Sequence, residues 1–508
     1  MLSPKNILDD INNKISSRDI FKFNREFLIQ SLIVASIQTT SMVFSYTFNL
    51  NMTNQIVEQF KAILKFIFSV DNTNSEVPED DDETITAFCQ MMFEFVEQYT
   101  PVRNYLEQCI IGNREIKYDE ANNLFFEEKY DDCSNYARIL DKAKEFPSED
   151  LKSSCITRMR QYLTTNKYKV NLFKDRYFNS FMKDYIKICW LDSEIKFEHN
   201  FVDFDYSELI SFCAALKMIS DYYFISSYIK PYFSINEDEL VNGISKFSGL
   251  TKEKILFFLR YQTYDYEYQK DKLTLIQGLI KCNNKYYFLP TAINIGLLPV
   301  KMYRAITDLD KEKYEKDISV IAHQKEKQMT DEIVEKLQKY NLSIELNYKI
   351  KSNNVPVAEY DMLVYDNESR DLYICEFKWY FVGDGEKEHK ALDRKIEEAI
   401  SHRKKKDKYI LDDPQKVCDE LFDKKRVNVV HEILISQNFG GSTEHDMTVI
   451  DFETLQWSIE RHDSFQELMN YFFSGEYKSS IQIESIKQKV EIEGYKFDFY
   501  RIAVKSNC

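Results

Sequence analysis

Only 11 glycines and 9 prolines punctuate this chain of 508 residues. Each normally supplies about 5–7% of a protein, so tight turns must be few here. Collagen-like repeats, Gly-rich linkers and many-turn sandwiches are excluded, and long helices are expected. The length predicts two to four domains of roughly 100–200 residues each. With 44% hydrophobic residues, those domains can bury sizeable cores, and wholesale disorder is excluded.

The formal net charge of −16 excludes a general coat of positive charge, though not a local basic channel. The 10 cysteines are scattered, with no CxxC pair and no zinc-knuckle spacing. The seven histidines include no HExxH, and there is neither a Walker-type phosphate loop nor a GxSxG elbow. The opening residues MLSPKNILDDINNK carry no secretory signal. The expected setting is cytoplasmic, with reduced thiols serving as small core residues. Leu28 to Leu50 is long enough for a membrane span, yet Gln30, Gln38, Thr39 and Thr40 interrupt it. A buried helix or helix pair is the expected reading, with no membrane contact.

Residues 1–70 repeat apolar positions at helical spacing, and so do residues 84–232, ANNLFFEEKYDDCSNYARILDKAKEF included. Pro147 and Ser148 are expected to end one helix and cap the next. The acidic stretch DNTNSEVPEDDDET (71–84) lacks periodicity and reads as a solvated linker. From 234 to 310 the order is two short helices around a Ser-Gly-Leu-Thr break, then a hairpin turning at Asn-Asn. That is the order of a winged-helix unit. It is equally the order of a small α+β packing module without a ligand.

From about 315 to 460 the pattern becomes α/β. An amphipathic helix carries Met329, Ile333 and Leu337 on one stripe. Strands are expected at 343–350, 358–366 and 371–380, then a long charged helix at 388–408, then strands at 427–438 and 446–452. The fold class is therefore multidomain. A mostly helical N-terminal region (1–70 and 84–232) precedes the α+β module, and an α/β domain with a central mixed sheet follows. Residues 461–508 form an extension with one or two strands and no assigned role.

Within that last domain the informative residues are Asp361, Glu376 and Lys378. Glu376 and Lys378 lie two apart on one strand, so alternation gives them one face. The hairpin brings Asp361 beside them. Two carboxylates on one sheet surface make a hard oxygen site for Mg²⁺ or Mn²⁺. A neighbouring lysine can hold water and offset charge on a phosphorane-like transition state. The competing reading is a plain ion pair on a solvated face. The apolar residues on both faces of DLYICEFKWY argue against it.

EYD (359–361) followed by EFK (376–378), each inside an apolar strand, resembles the PD-(D/E)XK nuclease superfamily with its restriction-endonuclease-like fold. The resemblance covers about residues 315–460. It implies that Asp361 and Glu376 bind metal, that Lys378 is the motif lysine, and that the Phe377 carbonyl can assist. Tyr360 stands where a proline often precedes the aspartate. The resemblance also implies a further acid on the preceding helix, for which Glu326 is the candidate. It lies about 20° from Ile333 on a wheel of roughly 100° per residue. A polar contribution from the following helix is implied too, with Lys395 or His402 able to supply it. Five of the six residues Arg403 to Lys408 are basic, which suits phosphate contact or a solvated helix end.

The expected function is metal-dependent cleavage of DNA phosphodiesters, in a setting similar to bacterial defence against phage or foreign DNA. A partner protein of such a system and self-association are both compatible with it. The alternatives are an idle nuclease fold that recruits protein partners, and an RNA-cleaving toxin using the same residues.

Overall fold

The structure is a computed structural model. It describes residues 3–47, 50–78, 81–110, 114–128, 149–191, 200–226, 233–266, 278–294, 298–352, 355–380, 386–437, 447–475 and 483–504. It is a mixture of helix and sheet, with helices dominating the N-terminal part and mixed sheets toward the C-terminus. Two compact units are formed. The first comprises Met1–Glu128, Glu145–Asp317 and Lys487–Phe499; the second comprises Lys129–Lys144, Ile318–Ile486 and Tyr500–Cys508. The described residues of segments 1–70, 84–232 and 234–310, read separately from sequence, thus fall in one unit, and 461–508 is divided between the two.

The first unit is built on long helices, among them Arg25–Thr47, Leu50–Ser69 and Tyr206–Ser226. Leu28, Ile29, Leu32, Ile33 and Ala35 of the first of these are fully inaccessible. Among the described residues one helix, Tyr206–Ser226, has the length and hydropathy of a membrane span, and 78% of that stretch is buried inside the protein. The Ser-Gly-Leu-Thr break appears as expected between Glu237–Ser248 and Lys252–Gln262. Gly249 takes φ +73° to end the first helix, and the Thr251 hydroxyl accepts from the Lys254 amide to start the second. Asn283 and Asn284 turn the following hairpin with φ of 49° and 60°, the left-handed pair a two-residue turn requires.

Two expectations need correction. Leu124–Phe126, read as helical, is a strand, paired with Lys117–Asp119 and in parallel with residues Lys496–Asp498. Its three-residue length carries no period of its own, and a partner some 370 residues away decides its state. Residues 129–148, Pro147 and Ser148 included, lie outside the described residues. The acidic linker is also shorter than expected, because a helix starts at Asp81. Asp81, Asp82 and Glu83 sit in its first turn, where the helix dipole favours them.

The second unit holds the α/β order. Helix α1 (Lys311–Leu337), within which the division falls, leads into β1 (Leu342–Ser352), β2 (Val355–Asp366) and β3 (Leu372–Trp379). Helices α2 (Glu386–Leu411) and α3 (Pro414–Leu421) cross to β4 (Val430–Gln437), β5 (Thr448–Asp451), α4 (Phe452–Arg461) and α5 (Phe465–Phe473). The sheet order is β5-β4-β3-β2-β1. β1 pairs with β2 and β2 with β3 antiparallel, while β3, β4 and β5 run parallel.

Helix α2 covers one face of this sheet. Leu392, Ile396 and Ile400 pack on Leu434 and Val449, and Ile410 packs with Leu363, Tyr365, Leu372 and Ile374. On the other face Tyr373 meets Phe465 of α5 edge-on at 5.1 Å. Buried on both faces, β3 exposes no residue fully, and its only half-buried positions are Glu376 and Lys378.

Leu363→Ala should cost about 2–5 kcal/mol in urea unfolding, because the lost side chain is fully buried between α2 and the sheet. Glu359→Ala, which removes an exposed pair with Lys349, should cost less than about 1 kcal/mol. Equal costs would contradict this packing.

Candidate active site

The antiparallel register of β2 and β3 sets the site. Met362 lies opposite Cys375 and Leu363 opposite Ile374, so Asp361 comes next to Glu376. Asp361 does not point freely from the sheet: its Oδ2 accepts from the Phe377 amide at 2.8 Å. Lys378 Nζ lies 3.0 Å from Glu376 Oε1 and 3.7 Å from Glu326 Oε1. Glu326 reaches over from α1, and its Oε1 also accepts from the Trp379 amide at 3.3 Å. The structure therefore brings Glu326, Asp361, Glu376 and Lys378 into one cluster. Glu332, also on α1, turns instead to Gln328 and to Gln456 of α4.

Helix α2 adds a residue that the sequence reading did not single out. The ammonium of Lys406 contacts Glu376 Oε2, so each oxygen of Glu376 faces a lysine. Lys395 and His402, the two candidates from this helix, line the same cleft of about 670 Å³ as Glu376, Lys378, Lys405, Lys406 and Tyr409. The Lys395 ammonium lies 5.8 Å above the Tyr380 ring.

The basic run is also less uniform than its composition suggests. Arg403 is only 2% exposed and donates to the carbonyls of Ile374 and Ile433 and to the carboxylate of Asp407. A signal for this was present. Leu392, Ile396, Ile400, Arg403, Asp407 and Ile410 follow three- and four-residue steps, which places Arg403 and Asp407 on the buried stripe. Lys404, Lys405 and Lys408 remain exposed.

The electrostatics follow from burial and these neighbours. Burial and the adjacent Glu376 charge push the Asp361 carboxyl above its usual range, against the pull of the Phe377 amide and Lys378. Burial works against ionised Glu376 as well, but Lys378 and Lys406 outweigh it and hold this carboxyl low. Burial also raises Glu326, with Lys378 opposing. For Lys378, burial disfavours the charged amine, yet Glu376, Glu326 and Asp361 overcome this and keep it protonated well past the normal range. Lys378 is therefore a fixed cation here, able to orient a water or neutralise charge but not to remove a proton.

The donor set suits a divalent cation. It consists of oxygen atoms and offers two adjacent carboxylates, those of Asp361 and Glu376. Among the described residues no three His, Cys, Asp or Glu side chains are already arranged as a ligand set. The fit is thus to Asp361 and Glu376 together with main-chain or solvent oxygen, as hard cations accept. The chain matches no protein-family model, no curated protein and no solved structure.

Behind the cluster, Asp407 Oδ1 and Glu432 Oε1 are buried without a hydrogen-bond partner. Burial raises Asp407, Arg403 opposes, and the neighbouring Glu432 adds to the rise, giving a value of about 7. A carboxyl raised on folding contributes stability that is complete below the unfolded value near 3.8 and is lost as pH rises through about 7. Wild-type thermal midpoints should therefore decline between pH 5 and pH 8 through this pair. Glu432→Gln, which removes a neighbouring acid and supplies a donor, should flatten that decline; parallel curves for the two proteins would contradict the influence of Glu432 on Asp407.

Proposed function

We propose that this chain is a metal-dependent nuclease cleaving DNA phosphodiester bonds, with residues 315–460 as a restriction-endonuclease-like domain. One observation carries the reading: Asp361, Glu376, Lys378 and Glu326 converge from two strands and a helix into one cluster, and its Glu376 and Lys378 line a cleft shared with Lys395, His402, Lys405 and Lys406. Asp361 and Glu376 would hold Mg²⁺ or Mn²⁺, and the sequence resemblance adds the Phe377 carbonyl. When bound, such an ion supplies Lewis acidity toward the phosphate and lowers the pKa of its water.

The protein's own part is positional. Glu376, kept ionised by its lysines, is the permanent anion. Glu326 fixes the Trp379 amide and the Lys378 ammonium from the far side. Lys378, always charged, orients the attacking water and stabilises the negative charge that grows on the phosphoryl oxygens. Lys395, Lys405 and His402 line the same cleft and approach the phosphates of the strand.

The winged-helix-like order of residues 234–310 suits a DNA-contacting accessory module. A role in defence against phage or foreign DNA, with a partner protein, rests on the sequence resemblance.

Plasmid and single-stranded DNA should be cut with Mg²⁺ or Mn²⁺. Glu376→Ala and Lys378→Ala should each slow cutting on the order of 100-fold or more, and Glu326→Ala by roughly 10–100-fold. Absence of both cutting and metal binding would contradict the proposal and favour the scaffold reading. Metal binding with cleavage of RNA alone would move the substrate assignment.

A further inference from the structure

We propose that Lys406 is a built-in counter-ion for Glu376, that it blocks metal loading in the resting protein, and that it is withdrawn by the substrate's phosphate. The inference rests on the metal-dependent reading above and adds an order of events to it.

Both oxygens of Glu376 are taken, Oε1 by Lys378 and Oε2 by Lys406. The cluster thus holds three carboxyl groups, Glu326, Asp361 and Glu376, against two ammonium groups. A divalent ion placed on Glu376 with both lysines in position would meet two like charges at contact distance. Like-charge repulsion at such separations is strong away from bulk water. One lysine must therefore move.

The geometry selects Lys406. Lys378 is tied from two sides, to Glu376 and to Glu326, and it stands on the central strand β3. Lys406 has Glu376 as its one carboxylate contact within ion-pair distance among the described residues. It projects from α2 with its ammonium 5.0 Å from the Tyr360 ring, on the side of the cleft that also carries Lys405, His402 and Tyr409. Its long flexible stem lets the ammonium swing from Glu376 into that cleft without moving α2, which Arg403 pins to the sheet. An arriving phosphodiester supplies the negative charge that draws it there. The acid pair then gains a free oxygen at the moment substrate is present. Such coupling would keep the resting site closed to metal.

The test is Mn²⁺ binding to the full chain, followed by electron paramagnetic resonance of free Mn²⁺, with and without a slowly cleaved phosphorothioate duplex. Without DNA, Lys406→Met should bind Mn²⁺ on the order of tenfold more tightly than wild type, whereas Lys406→Arg, which keeps the charge, should stay as weak as wild type. Adding the duplex should tighten binding to wild type and change Lys406→Met little. Glu376→Gln should abolish the site in every background. Equal affinity in wild type and Lys406→Met, lost in both on Glu376→Gln, would overturn the role of Lys406 and leave the metal site standing. No Mn²⁺ bound by any protein, with or without DNA, would overturn the nuclease reading and this proposal with it.

Discussion

The buried guanidinium of Arg403 is the constraint on which the second unit depends. It sits under α2, where an uncompensated charge would be severely destabilising. It is satisfied by carbonyls from two adjacent strands, Ile374 of β3 and Ile433 of β4, and by Asp407 one helical turn away. These bonds fix both the axial position and the rotation of α2 over the sheet. Once they are made, Lys406 leaves α2 within reach of Glu376, which lies two residues beyond Ile374 on the same face of β3. The apolar contacts of Ile396 and Ile400 on one side and Ile410 on the other are compatible with several rotations, whereas the Arg403 fork selects one.

The charge pattern at the site has the same logic. Three acids and two lysines gathered at partial burial cannot all remain at their solution pKa values. The strain falls on Asp361, which is raised, and Glu376 is protected by two ammonium groups. A site of this kind gains from more positive charge and also from a rearrangement of the charge it has. Under the proposed function, a bound divalent ion would relieve that tension.

Much of the second unit was legible in the sequence because its signals are local. Strands at 342–352, 355–366, 372–379, 430–437 and 448–451 lie within a few residues of their expected positions, since alternating or continuous apolar runs mark them directly. The adjacency of Asp361 and Glu376 followed from a short turn between two strands, and Glu326 from its angle on the helical wheel. What escaped were features that depend on distant partners. Phe125 belongs to a strand through pairing with Phe497, and Arg403 was hidden in a basic run whose neighbours are solvated. Lys406 could not be ranked above Lys395 or His402 until the rotation of α2 was known. The grouping of residues 1–128 with 145–317 and with 487–499 depends equally on packing and has no local signature.

The most direct test is anomalous diffraction from crystals of the full chain bound to DNA and soaked in Mn²⁺. The account predicts a peak in contact with the carboxylates of Asp361 and Glu376, with Lys378 still on Glu376 and the Lys406 ammonium withdrawn toward a phosphate. A saturating soak that leaves no peak there, with both lysines still capping Glu376, would contradict it.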